Sequence, residues 1–567
     1  MRQTKEQEVD GYFIKKIGNH RGAPRVWLEG LQTARAGFEP GQRYDVVVEG
    51  KTIVLQANPD GTRVVSSKRL GERSNPVIDL NSRELLAVFD GMSAVRVAVK
   101  EGQIYLLPLA SELKKQERFQ RLRQKLESGE ALGIGSLSHG GGVLTHAIHE
   151  GLKAAGVNAA LKFANEIRPE LLDQAAAHND AWSENTIPLA APMQELAFDD
   201  RGLAQIPKVE IMELGLPCSG ASKSGLAKRG HGIAEGHPEV GHLVVASLVI
   251  LNKAAPAIVI YENVVSYSNT ASAAILRNQL RDLGYETQER VLNGREWGAL
   301  ENRDRWCMVA VTQGIMFDFE QLMPPASRPR ELGDVLDPIP LDDPRWSRMD
   351  GLKAKQERDA TAGKGFKMQI YDESAESVGT IGKGYGKVRS TEPKIQHPEN
   401  PDLLRQLTAA EHARVKGVPP HLVDGLSETI AHEVLGQGVV YEPFKDVGQH
   451  VGNAINRFGG RPEVELKERR VAEMVEQLDV SERVADLASE VVVTLRKAES
   501  SRGRYVGQIV AADGDVVIQD AGRREGVLHI AKSFEARPKL GESVCVQYDK
   551  GKATVQTREK AQLSLGI

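Results

Sequence analysis

Three short segments carry side chains suited to nucleophilic and acid–base chemistry. Pro217-Cys218 follows the apolar run Val209 to Leu214. Pro217 fixes its own φ and biases Leu216 toward extended geometry, so the run reads as a strand ending in a turn, with a thiol at the turn. A thiolate needs access and a nearby positive field to act as a nucleophile, and the end of a strand supplies the access. Glu262-Asn263-Val264 follows a second apolar run, Ala257 to Tyr261. A carboxyl held there can be partly desolvated, its pKa raised, and so act as a general acid near neutrality. Arg303 and Arg305 alternate just before Trp306 to Val311. Two guanidinium groups on one face of a strand entrance can bind carbonyl oxygens and phosphates. Taken singly, each segment has a plainer reading: a small residue in a turn, a helix cap made by Asn263, surface charge.

Strands must bring these groups together. From about residue 130 to 315, apolar strand-like runs alternate with helical patterns, which predicts a mostly parallel sheet. In an open α/β sheet, ligands bind at the carboxyl ends of the strands. Leu132 to Leu137, Ser138-His139-Gly140-Gly141-Gly142 and Val143 onward read as strand, Gly-rich turn and helix. Such glycines let a ligand approach the backbone at a helix N-terminus. A second strand, Ala160 to Asn165, ends in Glu166. An acidic residue about 20 residues after such a turn commonly binds ribose hydroxyls. Together these segments predict a site for an adenosine-containing cofactor.

In this order the segments resemble the DNA cytosine-5 methyltransferases. The Gly turn is similar to the family's first motif, Pro217-Cys218 with Ser222 to its Pro-Cys loop, and Gly241-His242-Leu243 to the motif behind the methionine part of the cofactor. Glu262-Asn263-Val264 resembles the Glu-Asn-Val motif, and Glu301 to Arg305 the Gln-x-Arg-x-Arg motif. Arg405 to Pro419 resembles the ninth motif, and Gly436 to Pro443 the last. The resemblance covers roughly residues 131–456. It implies a Rossmann-like α/β catalytic domain binding S-adenosyl-L-methionine, and double-stranded DNA as substrate. A cognate restriction endonuclease is a candidate partner. Cys218 would attack cytosine C6 of a flipped-out base, Glu262 would act at N3, Asn263 would orient it, and Arg303 and Arg305 would position the ring. The cofactor would contact Leu137, His139, Gly141, Gly142, Glu166, Ile167, Pro217, Leu243, Gln437 and Val439. DNA would contact Ser222, Lys223, Thr380, Lys383, Lys387 and Arg389. The sequence departs from the family's pattern at Leu137 to Gly141 in place of Phe-x-Gly-x-Gly, at Ser219 in place of Gln, and at Glu301 in place of Gln. Two other outcomes stay open: an RNA cytosine-5 methyltransferase, and a DNA-binding regulator with a degenerate catalytic domain.

Around this core, the chain divides into further segments. Residues 1–112 alternate with period two and contain an internal repeat of strand, short helix, Gly turn and hairpin: Pro24 to Leu55 is echoed by Pro76 to Leu106. The repeat resembles AbrB-type and SymE-like swapped-hairpin domains, which pair two such units to bind DNA; a plain β spacer is the competing reading. Residues 113–130 read as a basic helical linker with a solvated face. The catalytic and cofactor domain spans 131–344 and returns at 402–458. Between them lies a short target-recognition region, 345–401, where Gly, Lys and polar residues dominate and periodicity fades. Residues 459–502 read as an amphipathic helical linker, and 503–567 as a small β-barrel loosely resembling β domains in proteins of mobile bacterial elements.

Composition sets bounds. A chain of 567 residues exceeds one core, and three widely spaced cysteines argue against a disulfide framework and for a reducing cytoplasm. The polar N-terminus is no signal peptide, and the longest apolar run, Leu243 to Leu251, is too short for a bilayer, so a membrane is not an expected partner. A net charge of -4 leaves DNA contact to local basic patches. A metal is not expected: the loop histidines His231, His237 and His242 fit no common zinc spacing.

Overall fold

The computed structural model describes residues 9–70, 73–222, 232–324, 330–363, 367–461, 494–498, 503–512, 516–522, 525–534, 536–549 and 552–557. The chain forms two compact units: residues 1–120 with 282–284, and residues 121–281 with 285–567.

The catalytic sheet has seven strands: β1 (Leu132–Leu137), β2 (Ala159–Asn165), β3 (Ile187–Leu189), β4 (Ile211–Leu214), β5 (Ile258–Asn263), β6 (Tyr285–Asn293) and β7 (Asp304–Thr312). Their spatial order is β3-β2-β1-β4-β5-β7-β6. The first five run parallel, and β7 runs antiparallel to both β5 and β6. β1 and β4 are buried along their whole length, as expected of strands covered on both faces. The order reverses between β1 and β4, so the crevice of a doubly wound sheet opens at their carboxyl ends. This is the Rossmann-like α/β class expected from the sequence.

Helix α1 (Val143–Ala154) follows β1, α2 (Leu243–Ala254) precedes β5, and α3 (Tyr441–Phe458) returns from the C-terminal side of the catalytic region. α1 and α3 touch backbone to backbone. A β-carbon at Gly151 would lie 2.0 Å from the Lys445 carbonyl, and one at Gly448 would lie 2.5 Å from that of Ile148. Glycine at both positions is what allows this contact, and it holds the last motif against the cofactor half.

Two expectations are corrected, for the helix at 110–128 and the linker at 459–502, and a third region is better ordered than its composition suggests. The helix Ala110–Ser128 is not a solvated linker in its last turns: Arg121 and Lys125 each lie 2.7 Å from the fully buried Glu210. Residues 345–401 are more ordered than their composition suggests. They contain the helix Asp350–Thr361 and two strands, Ile370–Tyr371 and Lys394–Gln396, which join Leu404–Arg405 in one small sheet. Val378, Ile381, Tyr385 and Ile395 share a core with Leu300, Leu407 and Val415. Of the linker expected at 459–502, residues 462–493 and 499–502 lie outside the described residues, and Thr494–Lys497 is a strand rather than helix.

In the first unit, the two repeats pair with each other. Ala23–Glu29 lies antiparallel to Arg73–Asn81, and Thr52–Ala57 antiparallel to Gln103–Pro108. Val26, Leu28, Phe38, Ile53 and Leu55 of the first repeat meet their counterparts Ile78, Leu80, Phe89, Ile104 and Leu106 in one core. Thr494–Lys497 and five strands between Arg504 and Thr557 form a six-stranded sheet with its own core, including Ile509, Val517, Val527 and Val546.

Candidate active site

The carboxyl end of β4 leads through Gly215-Leu216-Pro217 into a single 3-10 turn, Cys218–Gly220. The backbone N–H groups of Ala221 and Ser222 donate to the Cys218 carbonyl at 2.9 and 2.8 Å, so the thiol sits on a closed turn, partly exposed. Two groups from the end of β5 hold this turn. Asn263 Nδ2 donates to the Leu216 carbonyl at 2.9 Å, and Ser266 Oγ to the Ala221 carbonyl at 2.7 Å. Asn263 is thus a buried tie between strand end and turn.

Glu262 is one residue earlier on β5. Its Oε1 lies 2.8 Å from Arg305 Nε, and a β-carbon at Gly215 would lie 3.6 Å from its Oε2. Antiparallel pairing of β5 with β7 brings the Arg303–Arg305 segment to this end of the sheet, with Glu262 opposite Cys307 and Asn263 opposite Trp306. Burial raises the Glu262 pKa, while Arg305, Arg303 and Lys416 pull it back. Cys218 lies within electrostatic range of Arg305. Thiol, carboxyl and guanidinium therefore converge on one end of the sheet.

Arg303 is placed differently from Arg305. It is buried, and its guanidinium donates to the carbonyls of Ile381 (3.1 Å) and Gly436 (2.8 Å) and to Glu301 Oε1 (3.2 Å). Its visible work is to tie the site to the 381 loop and to the last motif. Glu301 Oε1 also accepts from the Ile381 N–H, and its Oε2 lies 2.6 Å from Lys416 Nζ, with both side chains fully buried. Burial, with the adjacent Arg303, lowers the Lys416 pKa to about 7. Sequence reasoning missed Lys416; a lone charge in the apolar stretch Val415-Lys416-Gly417-Val418 was the available signal.

At the end of β1, Ser138, Gly140 and Gly142 adopt positive φ of 56, 56 and 76 degrees. Glu166, just past β2, accepts from the Gly140 N–H at 2.9 Å. Gly141 packs on Val434, and Val143 on Gly438, so the last motif closes over the loop. Leu137 and Val439 are buried, Leu243 starts α2, and Ile167 is exposed. His139 is buried with both ring nitrogens engaged: Nδ1 is 2.8 Å from Ser136 Oγ and 3.0 Å from Thr145 Oγ1, and Nε2 accepts from Trp182 Nε1 at 3.1 Å. Burial lowers its pKa to about 3, so the ring is neutral. The His139 side chain is thus an internal brace, and what it can offer a cofactor is backbone. Thr145 Oγ1 also donates to Glu213 at 2.5 Å, and burial raises that carboxyl to about 7. Neither Trp182 nor Glu213 was singled out in the sequence.

Of the residues expected to meet DNA, Lys383, Lys387 and Arg389 are exposed, and Thr380 Oγ1 donates to the Asn302 carbonyl at 2.8 Å. Ile381 and Tyr385, buried between them, anchor this basic loop. Ser222 sits on the Pro-Cys turn, whereas Lys223 lies outside the described residues, as do residues 224–231 of the following loop. Beyond that gap, the Glu235 carboxylate accepts from the Ser272 N–H at 2.6 Å.

A doubly wound sheet carrying a thiol, a carboxyl and a guanidinium at its carboxyl edge, beside a Gly loop with an acidic neighbour, defines a group-transfer enzyme with a covalent nucleophile. The family described as C-5 cytosine-specific DNA methylase matches residues 146–453, more than half of the chain. The chain belongs to that family and is a DNA cytosine-5 methyltransferase. It is 26% identical over 269 residues to the Type II methyltransferase M.NlaX of Neisseria lactamica, covering 46% of this chain and 81% of that protein. It is 25% identical over 256 residues to the Type II methyltransferase M.SsoII of Shigella sonnei, covering 43% of this chain and 64% of that protein. A solved structure of S. pombe Dnmt2 methyltransferase aligns with a TM-score of 0.45 at 17% identity, over 58% of this chain and 99% of that one. Residues 504–557 match the KfrB domain family. No helix among the described residues is long and apolar enough to cross a membrane.

Proposed function

We propose that the chain transfers a methyl group from S-adenosyl-L-methionine to C5 of cytosine in double-stranded DNA, through a covalent adduct at Cys218 on a base rotated out of the stack. The observation that carries this reading is the Glu262–Arg305 pair, 2.8 Å apart beside the Pro-Cys turn that Asn263 ties down.

The Gly loop suits the cofactor. Three residues at positive φ turn the backbone of residues 138–142 at the start of α1, and Glu166 stands at the adjacent strand end. Glu166 would hold the ribose hydroxyls, with Ile167 beside it. Loop backbone at His139, Gly141 and Gly142 would meet the polar end, and Leu137, Pro217, Leu243, Gln437 and Val439 would frame the pocket. When bound, S-adenosyl-L-methionine supplies an electrophilic methyl group. The protein must then make cytosine C5 nucleophilic. Cys218 Sγ, as thiolate, bonds to C6, and the C5=C6 electron pair moves toward C5 and the ring. Glu262, whose burial favours the protonated form, donates to N3 and stabilises that charge. Arg305 fixes Glu262 and faces the ring, and Arg303 holds the strand entrance from behind. After C5 is methylated, loss of the C5 proton to a base returns the electron pair to C5=C6 and expels the Cys218 thiolate. A stacked base cannot reach Cys218, so base flipping is required. Lys383, Lys387, Arg389, Thr380, Ser222 and Lys223 would contact the duplex, largely at phosphates. A cognate endonuclease is the natural partner if the protein serves restriction–modification.

Labelled S-adenosyl-L-methionine offered with duplex DNA and with transfer RNA tests the reading. Label on DNA cytosine, and a trapped adduct with 5-fluorocytosine DNA that disappears in Cys218→Ala, is the expected result. Label on RNA alone, or transfer persisting in Cys218→Ala, overturns it.

A further inference from the structure

Away from the thiol site, three side chains distant in sequence converge. His146 is on the first turns of α1, Asp180 follows the helix Pro169–His178, and His421 is in the turn Pro420–Val423 after the ninth motif. Their ligand atoms all lie within 4.8 Å of one another, and His146 Nε2 is 4.0 Å from Asp180 Oδ2. That separation is too long for a hydrogen bond. It suits two donors on one cation, because zinc bonds of about 2.0–2.2 Å put neighbouring ligands some 3–4 Å apart.

We propose that His146, Asp180 and His421 bind a divalent first-row transition-metal ion, with zinc as the reference ion, at a three-ligand site that leaves further positions open to water. The strongest observation is His146 itself. It is 2% exposed, yet its Nε2 is buried without any hydrogen-bond partner. Its Nδ1 lies 2.6 Å from Tyr441 Oη. In the tautomer whose Nδ1–H donates to Tyr441 Oη, Nε2 keeps its lone pair for a metal, with Asp180 Oδ2 4.0 Å away. Metal-ligating histidines are oriented in this way, with the second ring nitrogen held by a polar partner. Two imidazoles and one carboxylate suit zinc and its first-row neighbours rather than magnesium or calcium. Asp180 and His421 are exposed and can close by side-chain rotation. They border an open cleft of about 650 Å³, which leaves room for water ligands. A bound ion would join α1, which starts at the cofactor loop, to the turn after the ninth motif. The loop histidines His237 and His242 take no part.

The test uses the full-length chain without an affinity tag. Equilibrium dialysis with zinc, and visible d–d absorption on adding cobalt(II), should show one ion per chain. His421→Ala and Asp180→Asn change exposed side chains and should each weaken binding tenfold or more. Tyr441→Phe should weaken it about 10–100-fold without changing the stoichiometry. The double variant His237→Ala/His242→Ala should bind as the parent does. No stoichiometric binding by the parent, binding unchanged in His421→Ala and Asp180→Asn, or binding lost in the loop variant would each overturn the site.

Discussion

Glu301→Gln is the sharpest perturbation available, because it restores the residue usual at the head of the family's arginine motif. The glutamate faces two buried cations, Arg303 Nη1 at 3.2 Å and Lys416 Nζ at 2.6 Å. Counted with Glu262 ionised in its pair with Arg305, as before a base is bound, the cluster holds two carboxylates and three basic groups, so it carries one excess positive charge when Lys416 is protonated. Losing the carboxylate raises that excess to two. Removing one member of a buried pair typically costs about 3–5 kcal/mol, because the remaining charge is left uncompensated. Lys416 sets a second bound. Its pKa of about 7 already lies some three units below an ordinary lysine, so it can relieve the excess by losing its proton. Lys416→Met removes a cation and brings the cluster to neutrality, which predicts a cost under about 2 kcal/mol. The double variant should recover at least about 2 kcal/mol of the loss seen in Glu301→Gln alone.

The pH dependence gives a separate check. The folded lysine pKa is depressed, so between about pH 7 and 10.4 the unfolded chain binds more protons than the folded one. Stability should therefore rise with pH through that window, by about 1.4 kcal/mol per unit, and Lys416→Met should remove the rise. Urea unfolding followed by fluorescence reads all four proteins, since Trp297 and Trp306 are buried in the same unit. A Glu301→Gln protein within about 0.5 kcal/mol of the parent, or a double variant no more stable than Glu301→Gln, would refute the electrostatic account.

Other outcomes follow from the same geometry. Glu262→Gln keeps a hydrogen-bonding group but loses the acid, and should reduce kcat about 10²–10⁴-fold in a labelled-methyl assay; an unchanged kcat would remove Glu262 from proton transfer. Glu213 is raised to about 7 by burial. Its contribution is fully present below the unfolded value near 4.3 and is lost as pH rises through about 7, by roughly 4 kcal/mol in all; Glu213→Gln should flatten that part of the stability–pH curve. His139→Ala leaves the Trp182 indole N–H without its acceptor and should cost about 1–3 kcal/mol in unfolding experiments.

The convergence of thiol, carboxyl and guanidinium was legible where it is written in local order. Pro217-Cys218, Glu262-Asn263 and Arg305 each end or enter an apolar strand, and β-strand ends converge by topology alone. The helix Asp350–Thr361 was not legible because it buries none of its residues and so prints no apolar period. The Arg121–Lys125 face reads as a solvated basic stripe until Glu210, some 85 residues on, is seen between the two. Lys416 is separated from Glu301 by 115 residues, and nothing in either neighbourhood announces the other.

The departures from the family pattern gain meaning only in three dimensions. Glu301 in place of glutamine looks like damage to the arginine motif, yet Lys416 supplies the counter-charge, and Arg303 keeps its bonds to the Ile381 and Gly436 carbonyls. His139, a histidine where the pattern has glycine, looks like an obstruction in the cofactor loop. In the fold it is turned inward, neutral, and held by Ser136, Thr145 and Trp182. Glu301 and His139 are thus each met by specific buried partners, as a folded, well-packed site requires. The pairing shows that these two departures are accommodated in the fold rather than left as damage. It also makes that accommodation measurable: if the partners compensate, the single variants lose stability and the matched double variant at 301 and 416 regains it.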